Sequence, residues 1–571
     1  MTNTRNTSVD CEQWQQKLAR SEQARLLIRV KGVVQGVGFR PFVYKLAAEN
    51  ALSGSVRNSS GIVEIEAQGA PADLERFLAS IENEAPPLAD IASLEISEVP
   101  LKEGASTCTF SIEESLTVTN QHKTVPPDTA TCKDCLRELF NPEDRRYRYP
   151  FINCTNCGPR YTIIKSLPYD RHATTMSAFR MCRLCQSEYT NPADRRFHAQ
   201  PNACASCGPS LTFIDSNGSG DIQAGSELAL KTTTARLRAG KIVAIKGLGG
   251  FHLICDANNA TSVEDLRTRK GRESKPLALM MRDIAMVSNY CKVSAKEEKL
   301  LESGKRPIVL LTRLAGSALA PEIAPRIGRI GVMLPYTPLH HLLLSDFGGP
   351  LVATSGNLTD EPIAIDNEEA IKRLSGIADG FLVHDRSIEC RYDDSVTSAF
   401  GEIEILVRRS RGYAPLPLPL PFKAKVPVLA CGGHLKNTFC LIDEDRAFVS
   451  QHIGDLDNED ALNHYMEALQ KFLRLFSIQP QLIAHDLHPD YLSTGIAADV
   501  AQSSGLKRVA VQHHHAHIAS CMVEHGIKHP VIGVAFDGIG YGSDGTLWGG
   551  EFLLCSLNDF VRRGCFAPLA L

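Results

Sequence analysis

Two rhythms of apolar and polar positions run along this chain, and the places where they change divide it. From Leu26 to about Glu113, short strand patterns (Leu26 to Val30, Ser53 to Arg57, Ile62 to Ala67, Ser93 to Val99) surround two helical ones (Pro41 to Ala51, Ala72 to Asn83). That order, βαββαβ, predicts a ferredoxin-like α+β domain. Around Thr131 to Ser210 the periodicity gives way to cysteine-rich sequence, and the Gly/Ser/Asp stretch from Asp215 to Gly225 reads as a linker. Apolar strands such as Ile242 to Ile245, Ile308 to Leu311 and Leu351 to Thr354 then alternate with helical stretches and predict an α/β domain. Pro415, Pro417, Pro419 and Pro421 read as a stiff extended spacer. From Val426 to Leu571 strands and helices alternate again, with Gly-rich turns at Gly432-Gly433 and from Gly538 to Gly550. The predicted domains are 25–114, 131–210, 222–412 and 426–571.

Composition narrows the class. At 571 residues, 43% hydrophobic and 22% charged, the chain can bury three or four separate cores. No apolar run approaches the ~20 residues that span a bilayer, and Met1 to Ala24 is polar rather than signal-like, so the expectation is a soluble cytoplasmic protein with no membrane partner. Net charge −4 and pI about 6.5 supply no global attraction to nucleic acid, which is not an expected partner, although a local basic face is compatible with them.

Eight of the eighteen cysteines form a duplicated pattern, Cys132-x2-Cys135-x18-Cys154-x2-Cys157 and Cys182-x2-Cys185-x18-Cys204-x2-Cys207, offset by fifty residues at every cysteine. Each CxxC places two thiolates on one tetrahedral ion, and a second pair closes the shell, so two structural Zn2+ sites are predicted. Asn-Pro-x-Asp-Arg-Arg (Asn141 to Arg146, Asn191 to Arg196) and Cys-Gly-Pro recur in both copies, which marks a true internal repeat. The spacing leaves open whether the pairs that share an ion are sequential or interleaved. A reducing compartment suits these thiolates and the ten further scattered cysteines.

Between the first strand and first helix lies Gly32-Val-Val-Gln-Gly-Val-Gly-Phe-Arg40, whose backbone N–H groups can line an anion cradle at a helix N-terminus. Arg40 can add a bidentate contact to phosphate oxygens. Asn58, eighteen residues on, would end the second strand beside this loop, where its amide could orient a water for in-line attack. This nonapeptide with Arg40 and Asn58 resembles the acylphosphatases, which implies that Arg40 binds phosphate and Asn58 positions the water. The bland alternative is an inert ferredoxin-like domain that kept its turn glycines.

In the α/β region, Lys246-Gly-Leu-Gly-Gly-Phe-His252 is followed by the cations Lys270, Arg272 and Lys275 and by Thr354-Ser355-Gly-Asn357 at a strand end. Those cations can neutralise a triphosphate while Ser355 to Asn357 supply donors, although read alone the cluster favours a solvated charge run. The order Lys-x-Arg-x-x-Lys-Pro-Leu, then Gly331-Val-Met-Leu-Pro335, then Thr-Ser-Gly-Asn resembles the YrdC-like threonylcarbamoyl-adenylate synthases over about Glu227 to Gly412. The resemblance implies a pocket for ATP with Mg2+ lined by Lys270, Arg272, Lys275, Ser355 and Asn357. Where those synthases commonly carry Pro-Thr-Asp-Thr, this chain has Lys246-Gly-Leu-Gly, which argues against threonine as substrate and leaves ATP in place.

Farther on, Val511-Gln-His513-His-His-Ala-His517 precedes a helix predicted over Ile518 to Glu524, with two imidazoles four apart that can chelate a metal or simply form a histidine cluster. Phe536-Asp537-Gly ends a strand amid glycine turns, a natural place for a metal or nucleotide phosphates. With Ala430-Cys-Gly-Gly-His434-Leu-Lys-Asn-Thr438 and Ser450-Gln-His452-Ile-Gly-Asp455, these segments resemble the Kae-type carbamoyl transferases of the actin-like ATPase fold. The resemblance implies that His513, His517 and Asp537 ligate a further divalent metal, zinc or iron. Other segments of that family lie beyond Leu571, so a partial, C-terminally truncated actin-like domain is expected.

The sequence of an acylphosphatase-like domain, two four-cysteine zinc units, a YrdC-like domain and a Kae-type domain resembles one family, the HypF carbamoyltransferases of [NiFe]-hydrogenase maturation. The resemblance implies cleavage of carbamoyl phosphate to carbamate, its condensation with ATP to carbamoyl-adenylate, and transfer of the carbamoyl group to the C-terminal cysteine of a HypE-type partner. Two other readings stand beside it: a fused threonylcarbamoyl synthase and transferase acting on tRNA, which leaves the acylphosphatase-like domain unexplained, and a zinc-ribbon binding module without catalysis.

Overall fold

The computed structural model describes residues 22–59, 62–86, 88–102, 109–113, 125–216, 223–359 and 361–567. The chain forms two compact units, residues 1–356 with 365–390 and 396–405, and residues 357–364 with 391–395 and 406–571.

The first unit opens with the α+β domain. Strand β1 (Ala24–Val33) alternates buried and exposed positions, so Leu26, Ile28 and Val30 face helices α1 (Phe39–Glu49) and α2 (Pro71–Asn83). With β2 (Ser53–Ser59), β3 (Ile62–Gly69), β4 (Asp90–Glu98) and β5 (Phe110–Ile112) it makes a sheet of order β4-β1-β3-β2-β5. The edge strand β5 adds to the expected motif by pairing in parallel with β2. Helix α1 begins at Phe39, two residues earlier than its apolar pattern suggests, because Gly38 adopts a left-handed conformation (φ 77°) that turns the loop directly into the helix.

The cysteine repeats follow, each opening on a short helix, α3 (Lys133–Phe140) and α4 (Arg183–Thr190). Their apolar residues are continuous with the α/β core: Leu139, Phe151 and Ile152 pack in one cluster with Ile245, Leu248 and Leu339. The α/β sheet is mixed. Ten of its twelve strands, β6 (Leu211–Asp215), β7 (Gln223–Ala224), β8 (Val243–Lys246), β9 (Phe251–Asp256), β10 (Leu279–Met280), β11 (Ile308–Arg313), β12 (Arg329–Met333), β13 (Leu351–Ser355), β14 (Gly380–His384) and β15 (Val396–Phe400), run in the order β15-β11-β12-β10-β13-β9-β8-β14-β6-β7. The expected linker is thus corrected at its ends, since β6 and β7 pair as Thr212 with Ala224 and Phe213 with Gln223; residues 217–222 lie outside the described residues.

In the second unit, β16 (Leu418–Pro419), β17 (Val428–Ala430), β18 (Cys440–Asp443), β19 (Arg446–Val449), β20 (Leu482–Asp486) and β21 (Lys507–Val511) have the order β16-β19-β18-β17-β20-β21. The run β17-β18-β19 is antiparallel, whereas β17, β20 and β21 are parallel. The proline-rich segment is no free spacer: Leu418 and Pro419 pair with Ala447 and Arg446 as an edge strand, a position where proline's missing N–H is harmless. Helix α3's counterpart for the metal cluster here is the helix His513–Glu524, next to an antiparallel sheet of Val531–Tyr541, Leu547–Cys555 and Phe560–Cys565. That helix starts five residues before its predicted start, so His513 and His517 are on wound turns. Among the described residues no helix is long and apolar enough to cross a membrane.

Candidate functional site

Each repeat gathers its own four cysteines, which settles the pairing as sequential: Cys132, Cys135, Cys154 and Cys157 in one cluster, Cys182, Cys185, Cys204 and Cys207 in the other. Sγ–Sγ separations are 3.5 to 3.9 Å in both. Four thiolates around an ion at a Zn–S distance of 2.3 Å stand about 3.8 Å apart, so the clusters fit tetrahedral zinc and leave no ligand position open.

The repeated Asp-Arg-Arg motif acts across the repeats. Arg145 and Arg146 reach the second repeat, where Arg145 donates to the Cys185 sulfur at 3.3 Å and Arg146 to Glu188 at 3.0 and 2.5 Å. Arg195 and Arg196 return the contact, with Arg195 donating to the Cys135 sulfur at 3.2 Å and both pairing with Glu138. Burial pushes the Glu188 carboxyl up, but Arg146 and Arg145 outweigh it and bring it down to about 2. Glu138→Ala would strand the buried Arg196 guanidinium and destabilise the pair of units by about 3 kcal/mol. Urea unfolding measures the loss, and faster zinc release to a chromogenic chelator from both units reports the coupling.

The zinc units also wall the glycine-loop site. Gly36 (φ 71°) and Gly38 (φ 77°) bend the loop, and α1 has no side-chain cap, so its first amides stay available to an anion. Val30 pairs with Val63, and Val63 with Asn58, which brings the end of β2 beside the loop. Asn58, with its amide oxygen towards Arg40, accepts from Nε and Nη2 at 3.3 Å. An open pocket joins Val34, Gly36, Gly38 and Arg40 to Thr155, Arg160, Tyr169, Phe197, His198 and Gln200 of the repeats. Arg160, almost fully buried, holds the two parts together by donating to the carbonyls of Gly36, Cys154, Thr155, Cys157 and Pro159. Burial lowers the proton affinity of Arg40 while Asp170 and Tyr189 oppose it. None of these wall residues was foreseen, because they carry no local motif and lie more than a hundred residues from Arg40.

In the α/β domain the structure brings Lys270 and Ser355 together: the buried Lys270 Nζ donates to the Ser355 carbonyl at 2.7 Å. Arg272 is turned onto the carbonyls of Lys275 and Pro276 at 3.1 and 2.7 Å, and Lys275 is exposed. Asn357 belongs to the second unit, where it donates to the Glu361 carbonyl.

At the histidine tract, His513 Nε2 lies 3.2 Å from His517 Nε2 and 2.9 Å from Asp537 Oδ2. Ligand atoms on a tetrahedral ion at about 2.0 Å stand about 3.3 Å apart, so the three fit one ion and leave a position open. Asp537 Oδ2 has the His513 imidazole 2.9 Å away as its neighbour, and a cation between the two would take both as ligands. Asp486, which the sequence reading missed, accepts from or pairs with His513 Nδ1 at 2.6 Å at the end of β20 and so turns Nε2 towards the cluster. The His-Asp ending of that strand was the only local sign of it.

A phosphate-type cradle on an α+β domain, two closed thiolate sites, a mixed α/β domain and a parallel-centred domain with an open His/His/Asp cluster together define a multidomain group-transfer enzyme. Family models agree segment by segment: Acylphosphatase over residues 26–112, HypF finger over 131–164 and 181–214, Telomere recombination (Sua5/YciO/YrdC) over 235–410, HypF Kae1-like domain over 423–524, and Carbamoyltransferase, Kae1-like Domain, second subdomain over 533–571. The chain belongs to the HypF carbamoyltransferase family. It is 49% identical to Carbamoyltransferase HypF2 of Cupriavidus necator over 96% of this chain and 69% of that one, and 48% identical to Carbamoyltransferase HypF of Synechocystis sp. over 95% and 70%. A crystal structure of full-length HypF in the phosphate- and nucleotide-bound form superposes with a TM-score of 0.88 at 49% identity, covering 95% of this chain and 70% of that one. Threonylcarbamoyl-AMP synthase of Mus musculus, 32% identical, matches 32% of the chain.

Proposed function

We propose that the chain converts carbamoyl phosphate and ATP into carbamoyl-adenylate and passes the carbamoyl group to the C-terminal cysteine of a HypE-type partner, towards the cyanide ligand of [NiFe]-hydrogenase. The observation that carries this reading is the Arg40–Asn58 pair at the mouth of an uncapped helix. Arg40 and the α1 amides bind the phosphoryl oxygens, and Asn58 orients the water. Water attacks phosphorus, the P–O bond to the carbamoyl group breaks, and carbamate leaves with that oxygen. A carbamate oxygen then attacks the α-phosphorus of Mg2+–ATP and pyrophosphate departs; Lys270, Arg272, Lys275 and Ser355 serve the nucleotide, with Asn357 assigned on the family resemblance alone.

At the transfer site His513, His517 and Asp537 would hold a divalent ion, zinc or iron, which when bound polarises a carbonyl or holds the adenylate. The partner's thiolate displaces AMP from the carbamoyl carbon. Asp486→Asn should weaken metal at this site by about 10–100-fold, read by competition with a chelator, while two zinc ions per chain stay on the cysteines.

Exchange of labelled pyrophosphate into ATP tests the whole proposal. Dependence on carbamoyl phosphate supports it; exchange with threonine and bicarbonate alone would replace it with the tRNA-modifying reading.

A further inference from the structure

The two cysteine repeats share a backbone turn that they put to different uses. Two places after each Asp-Arg-Arg segment stands a left-handed residue, Arg148 (φ 54°) in the first copy and His198 (φ 51°) in the second. Each donates its N–H back to the preceding helix, Arg148 to the Leu139 carbonyl at 2.8 Å and His198 to the Tyr189 carbonyl at 3.0 Å. The first copy uses the turn to grip the α/β domain, because Arg148 pairs with Glu227 and Asp346. The second has Tyr189, His198 and Gln200 where the first has Leu139, Arg148 and Pro150, and there the same turn delivers His198 and Gln200 to the Arg40 pocket.

These three substitutions between the copies form one polar set. The Tyr189 and His198 rings stack at 5.0 Å and 20°, and Phe197 packs on the same imidazole at 4.3 Å. The Tyr189 hydroxyl donates to Gln200 Oε1 at 2.8 Å, which commits the acceptor end of the amide and leaves its NH2 unpaired among the described residues. Gln200 is 3% exposed and lines the pocket, so that NH2 is a buried donor in want of an acceptor. His198 lines the same pocket while remaining exposed. Partial burial and the Arg40 charge lower its proton affinity against the pull of Asp170, so near neutral pH the ring keeps one acceptor nitrogen. A buried amide donor beside an imidazole acceptor complements a primary amide, whose carbonyl accepts and whose NH2 donates.

We infer that His198 and Gln200 are the specificity-determining residues that read the carbamoyl group of carbamoyl phosphate, Gln200 donating to its carbonyl oxygen and His198 accepting from its NH2. Tyr189 is the positioning residue that turns the Gln200 amide. The inference rests on the proposed carbamoyl-phosphate cleavage. In-line attack by the water at Asn58 sends the leaving group to the other side of phosphorus, and the second repeat supplies wall to receive it. Charge grows on the carbonyl oxygen as carbamate departs, so the Gln200 donor assists the step as well as the binding. An acyl phosphate with a methyl group in place of NH2 offers His198 no donor, and one such hydrogen bond corresponds to about tenfold in discrimination.

The test measures phosphate release from carbamoyl phosphate and from acetyl phosphate by the full zinc-loaded chain, with inorganic phosphate as competitive inhibitor. Carbamoyl phosphate should be preferred at least tenfold in kcat/KM. His198→Gly, which keeps the left-handed turn free of strain, should reduce that preference to within threefold, whereas His198→Asn tolerates the turn, keeps an acceptor and should retain it. Gln200→Leu should lower kcat/KM at least tenfold for both acyl phosphates, and Tyr189→Phe should do the same more weakly. Inhibition by inorganic phosphate, which has no acyl group, should shift less than threefold in all four variants. Zinc content and melting temperature establish folding, and Tyr189→Phe, which deletes only a hydroxyl, carries the Gln200 test if Gln200→Leu does not fold. A chain that cleaves both substrates equally well, or a preference that survives in folded His198→Gly, would overturn the role of His198. Unmodified rates in folded Gln200→Leu would overturn that of Gln200. Equal loss on both substrates with weakened phosphate inhibition in His198→Gly would mean that the wall merely supports the loop, and would overturn recognition too. A chain that releases phosphate from neither substrate would overturn the proposed cleavage itself, and this inference with it.

Discussion

Arg40→Ala should reduce phosphate release from carbamoyl phosphate by about 10³-fold, the upper range for losing one preorganised donor to developing charge. The argument rests on position. Arg40 lies in the first turn of α1, where the helix supplies uncapped amides, and its guanidinium stands 3.3 Å from the Asn58 amide, whose oxygen is the end able to accept from it. Phosphoryl oxygens entering the pocket meet amides and a bidentate cation at once. Burial lowers the proton affinity of Arg40, but an arginine starts so high that the group remains charged throughout the neutral range. Arg40→Lys should recover only part of the loss, because a point charge cannot reproduce the fork. Asn58→Ala should lower kcat with little change in KM, as expected of a group that orients water rather than binds phosphate. Ammonium carbamate added directly should restore pyrophosphate exchange in Arg40→Ala, which separates lost hydrolysis from a damaged fold. Hydrolysis by Arg40→Ala within tenfold of the unmodified chain would remove Arg40 from this role.

What the sequence made legible follows the range of the interactions involved. The cysteine sites were readable because a CxxC hairpin fixes two ligands within four residues, and the structure added only the sequential pairing. The strands and helices of the first domain were readable because their burial alternates at period two or repeats along one helix face, as at Leu74, Phe77 and Ile81. The Asp-Arg-Arg repeats were visible as a repeat but silent about purpose, since each arginine's partner sits on the other copy some forty to sixty residues away. Proline content misled at Leu418-Pro419, where an edge of a sheet accepts what a central strand would not. The cations near Lys270 were visible as a run, but charge in a line of sequence does not give their contacts, and in the structure Lys270 and Arg272 each donate to a backbone carbonyl. Asp486 and the zinc-unit wall of the Arg40 pocket became visible only through tertiary contacts.

Removing zinc should abolish phosphate release as completely as removing Arg40, although no cysteine lies in the acylphosphatase-like domain's own strands. Each closed thiolate site contributes folding free energy on the order of 10 kcal/mol at neutral pH. Without it, the polypeptide that carries Thr155, Arg160, Tyr169 and His198 loses the cross-link nearest the glycine loop. Arg160 is the critical strut, because its five carbonyl contacts span the Cys154–Pro159 turn and Gly36 together. The two ions should also leave together. Arg145 donates to the Cys185 sulfur and Arg195 to the Cys135 sulfur, so opening either unit withdraws charge-assisted hydrogen bonds from the other's thiolate. Cys182→Ser should therefore release zinc from its own unit and make the distant Cys132 to Cys157 unit lose its ion to a chelator at least tenfold faster. Zinc stoichiometry by atomic absorption, chelator-release kinetics and phosphate release from the same samples decide the matter. A zinc-free chain that still cleaves carbamoyl phosphate at the unmodified rate would show that the loop and Asn58 suffice alone, and that the repeats merely adjoin the pocket rather than complete it.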